Sequence, residues 1–256
     1  MDTLVCIKRV PNTGARAVLT EDSQSIDTSN LGFTLSPHEE CGIEEAVQLV
    51  EDHGGAATAM TLGPEGASEQ LRTAIAMGAD EAVLLDAGEG AEWRPGRIAD
   101  ALANAVGDLA TDFDVLLFGN ESADAQNYQV GVRVAHELGL PCVTGIKEFT
   151  VTDAEAGTAV AEREIPGGAE KYELDLPAVI TVKEGLNEPR YPSMRARMQA
   201  RKTDLTTREA AGEGVGGFEK VRLEVPEDEG EETEILGESA DAAPAVVDVL
   251  DELEVL

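Results

Sequence analysis

Phe113-Asp114-Val115-Leu116-Leu117-Phe118-Gly119 passes directly into Asn120-Glu121-Ser122-Ala123-Asp124-Ala125-Gln126-Asn127 and then into Tyr128-Gln129-Val130-Gly131. The first piece is a near-continuous apolar run with no polar alternation. A strand reads this way when helices cover both faces of its sheet, as in parallel α/β sheets. The second piece is a long polar loop. The third opens a helix, Tyr128–Leu138, closed by Gly139. In that order the loop sits at the carboxyl end of a strand, where open parallel sheets bind ligands. The helix start offers unpaired N–H groups and a positive dipole end to a phosphate. Ser122, Asn127 and Gln129 add neutral donors, so the stretch is read as a ligand-binding loop rather than a plain connection.

The same alternation extends outward in both directions. Thr3–Val10, Ala56–Leu62, Glu81–Asp86 and Ala178–Val182 are further apolar strands. Ser36-Pro37-His38-Glu39 starts a helix, with Ser at the N-cap, Pro in the first turn and Glu completing a capping box. Ile43, Ala46, Val47 and Val50 follow at helical spacing. A second helix follows Gly63-Pro64, carries Leu71, Ala74, Ile75 and Met77, and ends at Gly78; a third spans Pro95–Leu109. Strands alternating with helices predict one parallel sheet with right-handed crossovers. Ala17–Asp27 reads as a small hairpin. Ile146–Val151, Ala159–Ile165 and Tyr172–Leu174 read as an antiparallel insert over about residues 146–176. On this topology the Lys8–Pro11 strand exit and the Ser36-Pro37 helix start face the same sheet edge as the long loop. Three strand ends converging on one crevice make a nucleotide site.

The α/β domain is expected over 1–205. Residues 206–256 are expected to form an acidic linker and a C-terminal arm. Glu209–Gly217 is linker-like, Pro226–Glu234 is an acidic run, and Ala245–Leu256 is a short amphipathic helix. That helix either docks on a partner or packs on its own domain.

Composition narrows the function classes. The 256 residues hold 51 Asp and Glu against 19 Lys and Arg, a net charge of −32. Nucleic acid and anionic membranes repel such a chain. The acids are spread over every segment, which reads as adaptation to multimolar salt, where screening lengths fall below ~3 Å. No apolar run reaches membrane-spanning length, and the N-terminus lacks the basic and apolar regions of a signal peptide. Cys6, Cys41 and Cys142 are odd in number and far apart, which excludes a disulfide framework and points to the cytoplasm. Gly212-x-Gly214-x-x-Gly217 matches the dinucleotide fingerprint in form only, since no strand precedes it and no βαβ unit follows. There is no P-loop and no G-x-S-x-G elbow. His38, His53 and His136 have neither metal-ligand spacing nor a nucleophile beside them. No catalytic residue and no metal site is expected.

The segment Lys183-Glu184-Gly185-Leu186-Asn187-Glu188-Pro189-Arg190-Tyr191-Pro192-Ser193-Met194-Arg195-Ala196-Arg197-Met198-Gln199-Ala200-Arg201-Lys202 stands apart. Lys183–Arg208 holds seven of the 19 cations and only three acids. In a chain this acidic, such an island reads as a surface for an anionic or protein partner. The segment also resembles the signature of electron-transfer flavoprotein beta subunits. Lys8-Arg9-Val10-Pro11, Ser36-Pro37 with Ile43-Glu44-Glu45-Ala46, and Leu71-Arg72-Thr73-Ala74-Ile75-Ala76-Met77-Gly78-Ala79-Asp80 are similar to further motifs of that family, in the same order. The likeness covers about residues 3–205.

The resemblance implies a Rossmann-like fold of the adenine-nucleotide alpha-hydrolase-like class and a heterodimer with an alpha subunit that carries the electron-transferring FAD. It implies AMP, or in bifurcating NADH-oxidising members a second FAD, in the crevice of this chain. Contacts carried over by position are Lys8, Val10, Ser36, Pro37, Gly63, Gly119, Asp124, Tyr128, Gln129, Val130 and Gly131, beside Ser122 and Asn127 from the loop reading. Ser36 replaces the family's asparagine. The loop lacks the second aspartate and the threonine of bifurcating members, and it matches the conventional loop only in part. The resemblance further implies a recognition loop at about 184–202 that docks on dehydrogenases such as acyl-CoA dehydrogenases. Leu186, Asn187, Pro189, Arg190, Tyr191, Arg195 and Arg197 surround its apolar anchor, Met194. Electrons would pass on through a quinone oxidoreductase to the membrane quinone pool, and the chain itself would do no bond chemistry. A stand-alone adenine-nucleotide-binding protein is the remaining alternative, disfavoured by the arm and the cationic island.

Overall fold

The computed structural model describes residues 1–12, 14, 17–88, 93–212, 220–226, 235–237, 239–253 and 255. These fall into two units, one of residues 1–16 and 27–220, the other of 17–26 and 221–256.

The first unit is built on a seven-stranded parallel sheet. Its strands are β1 (Thr3–Ile7), β4 (Ala57–Gly63), β5 (Glu81–Asp86), β6 (Val115–Gly119), β7 (Cys142–Ile146), β11 (Ala178–Val182) and β12 (Thr206–Glu209). They lie in the order β12-β5-β4-β1-β6-β11-β7. Val10–Pro11 (β2) and Phe33–Thr34 (β3) form a separate antiparallel pair. Helices α1 (Pro37–His53), α2 (Ser68–Met77), α3 (Pro95–Asp108) and α4 (Val130–Leu138) connect the strands. Alternate residues of each strand enter different cores. Val5, Ile7, Val115 and Leu117 pack with Ile43 and Val47 of α1 and Leu71 of α2. Leu4, Cys6, Leu116 and Phe118 pack with Leu102 of α3 and Val134 of α4. Because both strand faces are apolar and buried, the Phe113 run shows no alternation.

The antiparallel insert is present as β8 (Glu148–Asp153), β9 (Thr158–Ile165) and β10 (Gly168–Asp175), in the order β10-β9-β8. Four details differ from the sequence reading. The first strand leaves the sheet after Ile7, and Val10–Pro11 turn away to pair with Phe33–Thr34. Ile146 ends a short edge strand of the main sheet rather than opening the insert; Gly145, at φ +71°, interrupts that strand and hides its pattern. The fourth helix starts at Val130, because Tyr128 has φ +55° and cannot be helical. Thr206–Glu209, read as the start of the linker, is the polar edge strand β12 beside β5. A final helix of this unit, α5 (Met194–Ala200), packs on α2.

In the second unit Leu19 and Ile26 form an antiparallel bridge, as the hairpin reading expected. The Leu223 N–H donates to the Ser23 carbonyl at 2.8 Å, and Gln24 Nε2 to the Val221 carbonyl at 2.9 Å. Helix α6 (Ala243–Glu252) presents Val246, Val247 and Val249 to solvent. The acidic run after Pro226 as far as residue 234, together with Gly214 and Gly217, lies outside the described residues. Among the described residues no helix is long and apolar enough to cross a membrane.

Candidate nucleotide cleft and docking segment

Strand β1 is central. The chain leaving it returns as β4 on one side, whereas β6 lies on its other flank and feeds α4. The loops after β1 and β6 therefore diverge and open a crevice at the strand ends, the usual ligand position in such sheets. A cleft opens there. Its floor includes Cys6, Ile7, Lys8, Phe118 and Gly119; Leu62, Ile98 and Leu102 add an apolar wall. Its polar rim includes Ser122, Asn127, Tyr128 and Gln129, and the first residues of α4, Val130 and Gly131, close it. The leading N–H groups of α4 have no intrahelical partner, and the residues that carry the first of them line the cleft.

The long loop is tied down at several points. Lys8 Nζ donates to Asp124 Oδ1 at 2.5 Å and to Ser122 Oγ at 3.3 Å. The Ala123 N–H donates to Ser36 Oγ at 3.1 Å, joining the loop to the first turn of α1. Thr181 Oγ1 donates to Asn120 Oδ1 at 2.9 Å, and the Asn120 N–H to the Val182 carbonyl at 2.9 Å. Gln126 and Tyr128 stand at φ +47° and +55°, strained positions for non-glycine residues that these ties hold in place.

Burial raises the Asp124 carboxyl, but the adjacent Lys8 ammonium and the hydrogen bonds outweigh it and hold the group below its usual range. Glu39 behaves oppositely. It is buried at the cleft, its carboxylate accepts the Ser36 N–H at 2.8 Å, and desolvation pushes its pKa up to about 7 despite that bond and Lys8. Burial also lowers His38, although Glu121 and Glu184 lie near enough to oppose this. His38 Nδ1 and Glu121 Oε2 are buried without a partner.

Of the positions expected to meet a nucleotide, Lys8, Gly119, Ser122, Asn127, Tyr128, Gln129, Val130 and Gly131 line the cleft. Asp124 and Ser36 stand behind it, bonded to Lys8 and to the loop backbone. Val10 is buried in the β2–β3 pair, Pro37 is exposed on α1, and Gly63 ends β4. None of these three lines the cleft. Glu39, Glu121 and Thr181 do line it and were not singled out by sequence. Glu39 was legible only as a capping residue; a carboxylate in the first turn of a helix beside a strand-end crevice was the available signal.

The residues fit an adenine nucleotide. The apolar wall suits a planar base. The α4 N-terminus suits a phosphate, and among the described residues lining the cleft Lys8 is the one cation. Gly131 is required for another reason than ligand approach. A Cβ there would meet Thr181 Cγ2 at 2.9 Å and Phe118 Cγ at 3.1 Å, so the glycine lets α4 lie against the sheet. Among the described residues no group of three or more His, Cys, Asp or Glu could hold a metal ion.

The cationic segment runs along α1 and ends in α5. Leu186 packs on the core. Asn187 Nδ2 donates to the Cys41 carbonyl at 3.1 Å and to Glu45 Oε2 at 3.0 Å. The Arg190 N–H and Nε both donate to Glu44 Oε2 at 2.9 Å, and Nη2 to Glu44 Oε1 at 3.0 Å. Its Nη1 donates to Glu51 Oε1 at 2.7 Å and its Nη2 to Glu51 Oε2 at 3.0 Å. Burial raises Glu44, yet the Arg190 bonds outweigh it and hold the carboxyl below its usual range. Arg190 is thus spent inside the chain. Pro189, Arg195 and Arg197 are exposed, and Arg197 lies over the Tyr191 ring at 4.7 Å. Tyr191 is 85% exposed and Met194 73%, with Met198 one turn further at 59%. Met198 was missed, although its spacing of four from Met194 puts both on one helix face.

A family model described as the electron transfer flavoprotein domain matches residues 25–213. The chain is 39% identical over 209 residues to the electron transfer flavoprotein subunit beta of Bacillus subtilis (strain 168), covering 80% of this chain and 77% of that one. It is 36% identical over 224 residues to the subunit of the same name from Mycobacterium tuberculosis (strain ATCC 25618 / H37Rv), covering 83% and 80%. It is 29% identical over 226 residues to Protein FixA of Sinorhizobium fredii (strain NBRC 101917 / NGR234), covering 87% and 79%. With its fold, its strand-end cleft and a match across most of its length, the chain belongs to the electron transfer flavoprotein domain family.

Proposed function

We propose that the chain is the beta subunit of a heterodimeric electron-transfer flavoprotein. It receives electrons from dehydrogenases such as acyl-CoA dehydrogenases and delivers them through a quinone oxidoreductase. FAD, held mainly by an alpha subunit, supplies the redox chemistry when bound. This chain contributes binding surfaces and no bond chemistry. The cleft takes AMP. Lys8 and the α4 N-terminus face its phosphate, Ser36 and Asp124 hold the loop that carries Ser122 and Asn127, and the Leu62–Ile98 wall receives the base. Met194 is the docking anchor, with Tyr191, Arg195 and Arg197 around it. The observation that carries the reading is the pairing of a strand-end nucleotide cleft with an exposed apolar and cationic docking segment in a member of this family.

The test is the nucleotide inventory of the complex purified with its alpha partner and then denatured. One FAD and one AMP per heterodimer is the expected result. A chain that forms no complex with alpha, or a complex without AMP, overturns it. A second reading, a bifurcating subunit with its own FAD in the cleft, would show as two FAD.

A further inference from the structure

The proposed docking surface is held at both ends by side chains that do not themselves face a partner. At its start, the Arg190 guanidinium spans two carboxylates, Glu44 and Glu51, and makes two bonds to each. These acids are seven apart on α1, two helical turns, so they project from one face. The Arg190 backbone N–H also bonds Glu44 at 2.9 Å, which fixes the chain as well as the side chain. Asn187 adds bonds to the Cys41 carbonyl, about one turn before Glu44, and to Glu45, the residue after it. At the far end, Arg72 on α2 donates from Nη1 to the Ala200 carbonyl at 2.6 Å and the Thr203 carbonyl at 3.0 Å. Those carbonyls end α5 and its following turn, where the Ala200 carbonyl also accepts the Thr203 N–H at 3.2 Å. Between these two anchorages stand Tyr191, Met194 and Met198, all more than half exposed.

We infer that Arg190, with Glu44 and Glu51, is the positioning device of the docking segment, seconded by Arg72, so that Tyr191, Met194 and Met198 are preformed as a surface before any partner arrives. The inference rests on the docking reading above. A preformed surface spares the partner the cost of ordering several side chains and a stretch of backbone on contact. Only arginine meets the geometry, because its planar fork reaches two carboxylates at once; a lysine ammonium offers one point of charge. The exposed half of the device is Glu51, which is 57% exposed, so its loss loosens the segment without opening the core.

The experiment uses the intact heterodimer and an acyl-CoA dehydrogenase reduced by its acyl-CoA. KM for the dehydrogenase, kcat at saturation and backbone amide exchange over residues 191–203 are measured for wild type, Arg190→Lys, Glu51→Gln and Met194→Ala. Arg190→Lys is expected to raise KM about ten-fold and Glu51→Gln about three-fold, the scale of newly ordered interface side chains, with kcat within two-fold. Amides 191–203 should exchange faster in both variants, while those of α1 stay protected. If Met194→Ala leaves KM unchanged, the docking reading itself falls. If Met194→Ala raises KM but Arg190→Lys and Glu51→Gln do not, or if their amides exchange as in wild type, the positioning inference alone is overturned.

Discussion

Glu39 shows how one carboxyl can serve local structure and the cleft together. It accepts the Ser36 N–H as part of the α1 start, yet it lies buried beside a space suited to an anion. Its pKa of about 7 in the fold exceeds the ordinary 4.5, so the neutral form is favoured on folding. Below 4.5 both states are protonated and this contribution to stability is complete. As pH rises from there the unfolded chain gains by ionising, and the contribution is lost by about 7. Glu39→Gln removes the titration. By linkage the variant should gain about 3 kcal/mol on wild type between pH 4.5 and pH 8. Urea midpoints in buffered molar KCl check this; a constant difference across that range would show that Glu39 titrates normally. Glu45 is also pushed up to about 7 by burial, but it is present in both proteins and cancels from the comparison.

At the scale of elements, α4 and β6 meet so closely that Gly131 has no room for a methyl group. Gly131→Ala should cost about 1–3 kcal/mol by overpacking, with or without nucleotide. Thermal unfolding of loaded and stripped protein checks it, and a cost seen only in the loaded form would return the glycine to the ligand. Helix α6 leaves Val246, Val247, Val249 and Leu253 exposed on this chain. Removing residues 230–256 should abolish co-purification with the alpha subunit, and a truncated chain that still co-purifies would refute an arm that docks there. The elements read correctly in advance were those under the strongest constraint. Val115–Phe118 is buried on both faces, so its apolar run had one reading. β7 and β12 escaped because edge strands tolerate glycine and polar residues, and Gly145 and Thr206-Thr207-Arg208-Glu209 supply both. In the cleft, Lys8 and the Ser122–Gly131 loop were legible from their place beside a strand end. The engagement of Arg190 was not, because it depends on two acids some 140 residues earlier coming to lie on one helix face.

For the molecule as a whole, charge is the dominant physical fact. At −32 the chain repels itself wherever ions do not screen it. Circular dichroism of the isolated chain should show loss of structure on dilution from molar KCl into low-salt buffer; an unchanged spectrum would contradict that. The charge is also unevenly placed. Residues 183–208 carry seven cations and three acids, which leaves the rest of the chain with twelve cations and 48 acids. In dilute salt this is an electrical compass: an acidic partner is turned toward one face and pushed off every other before it touches. In concentrated salt, with fields reaching only ~3 Å, the compass is switched off. Encounters then become blind collisions, and a partner is kept or lost by whether the surface it strikes already has the right shape. Stopped-flow association rates of the intact heterodimer, over the salt range in which it stays folded, should therefore fall as salt rises and then level out. At that plateau, the fork of Arg190 across Glu44 and Glu51 does by rigidity what long-range attraction did at low salt.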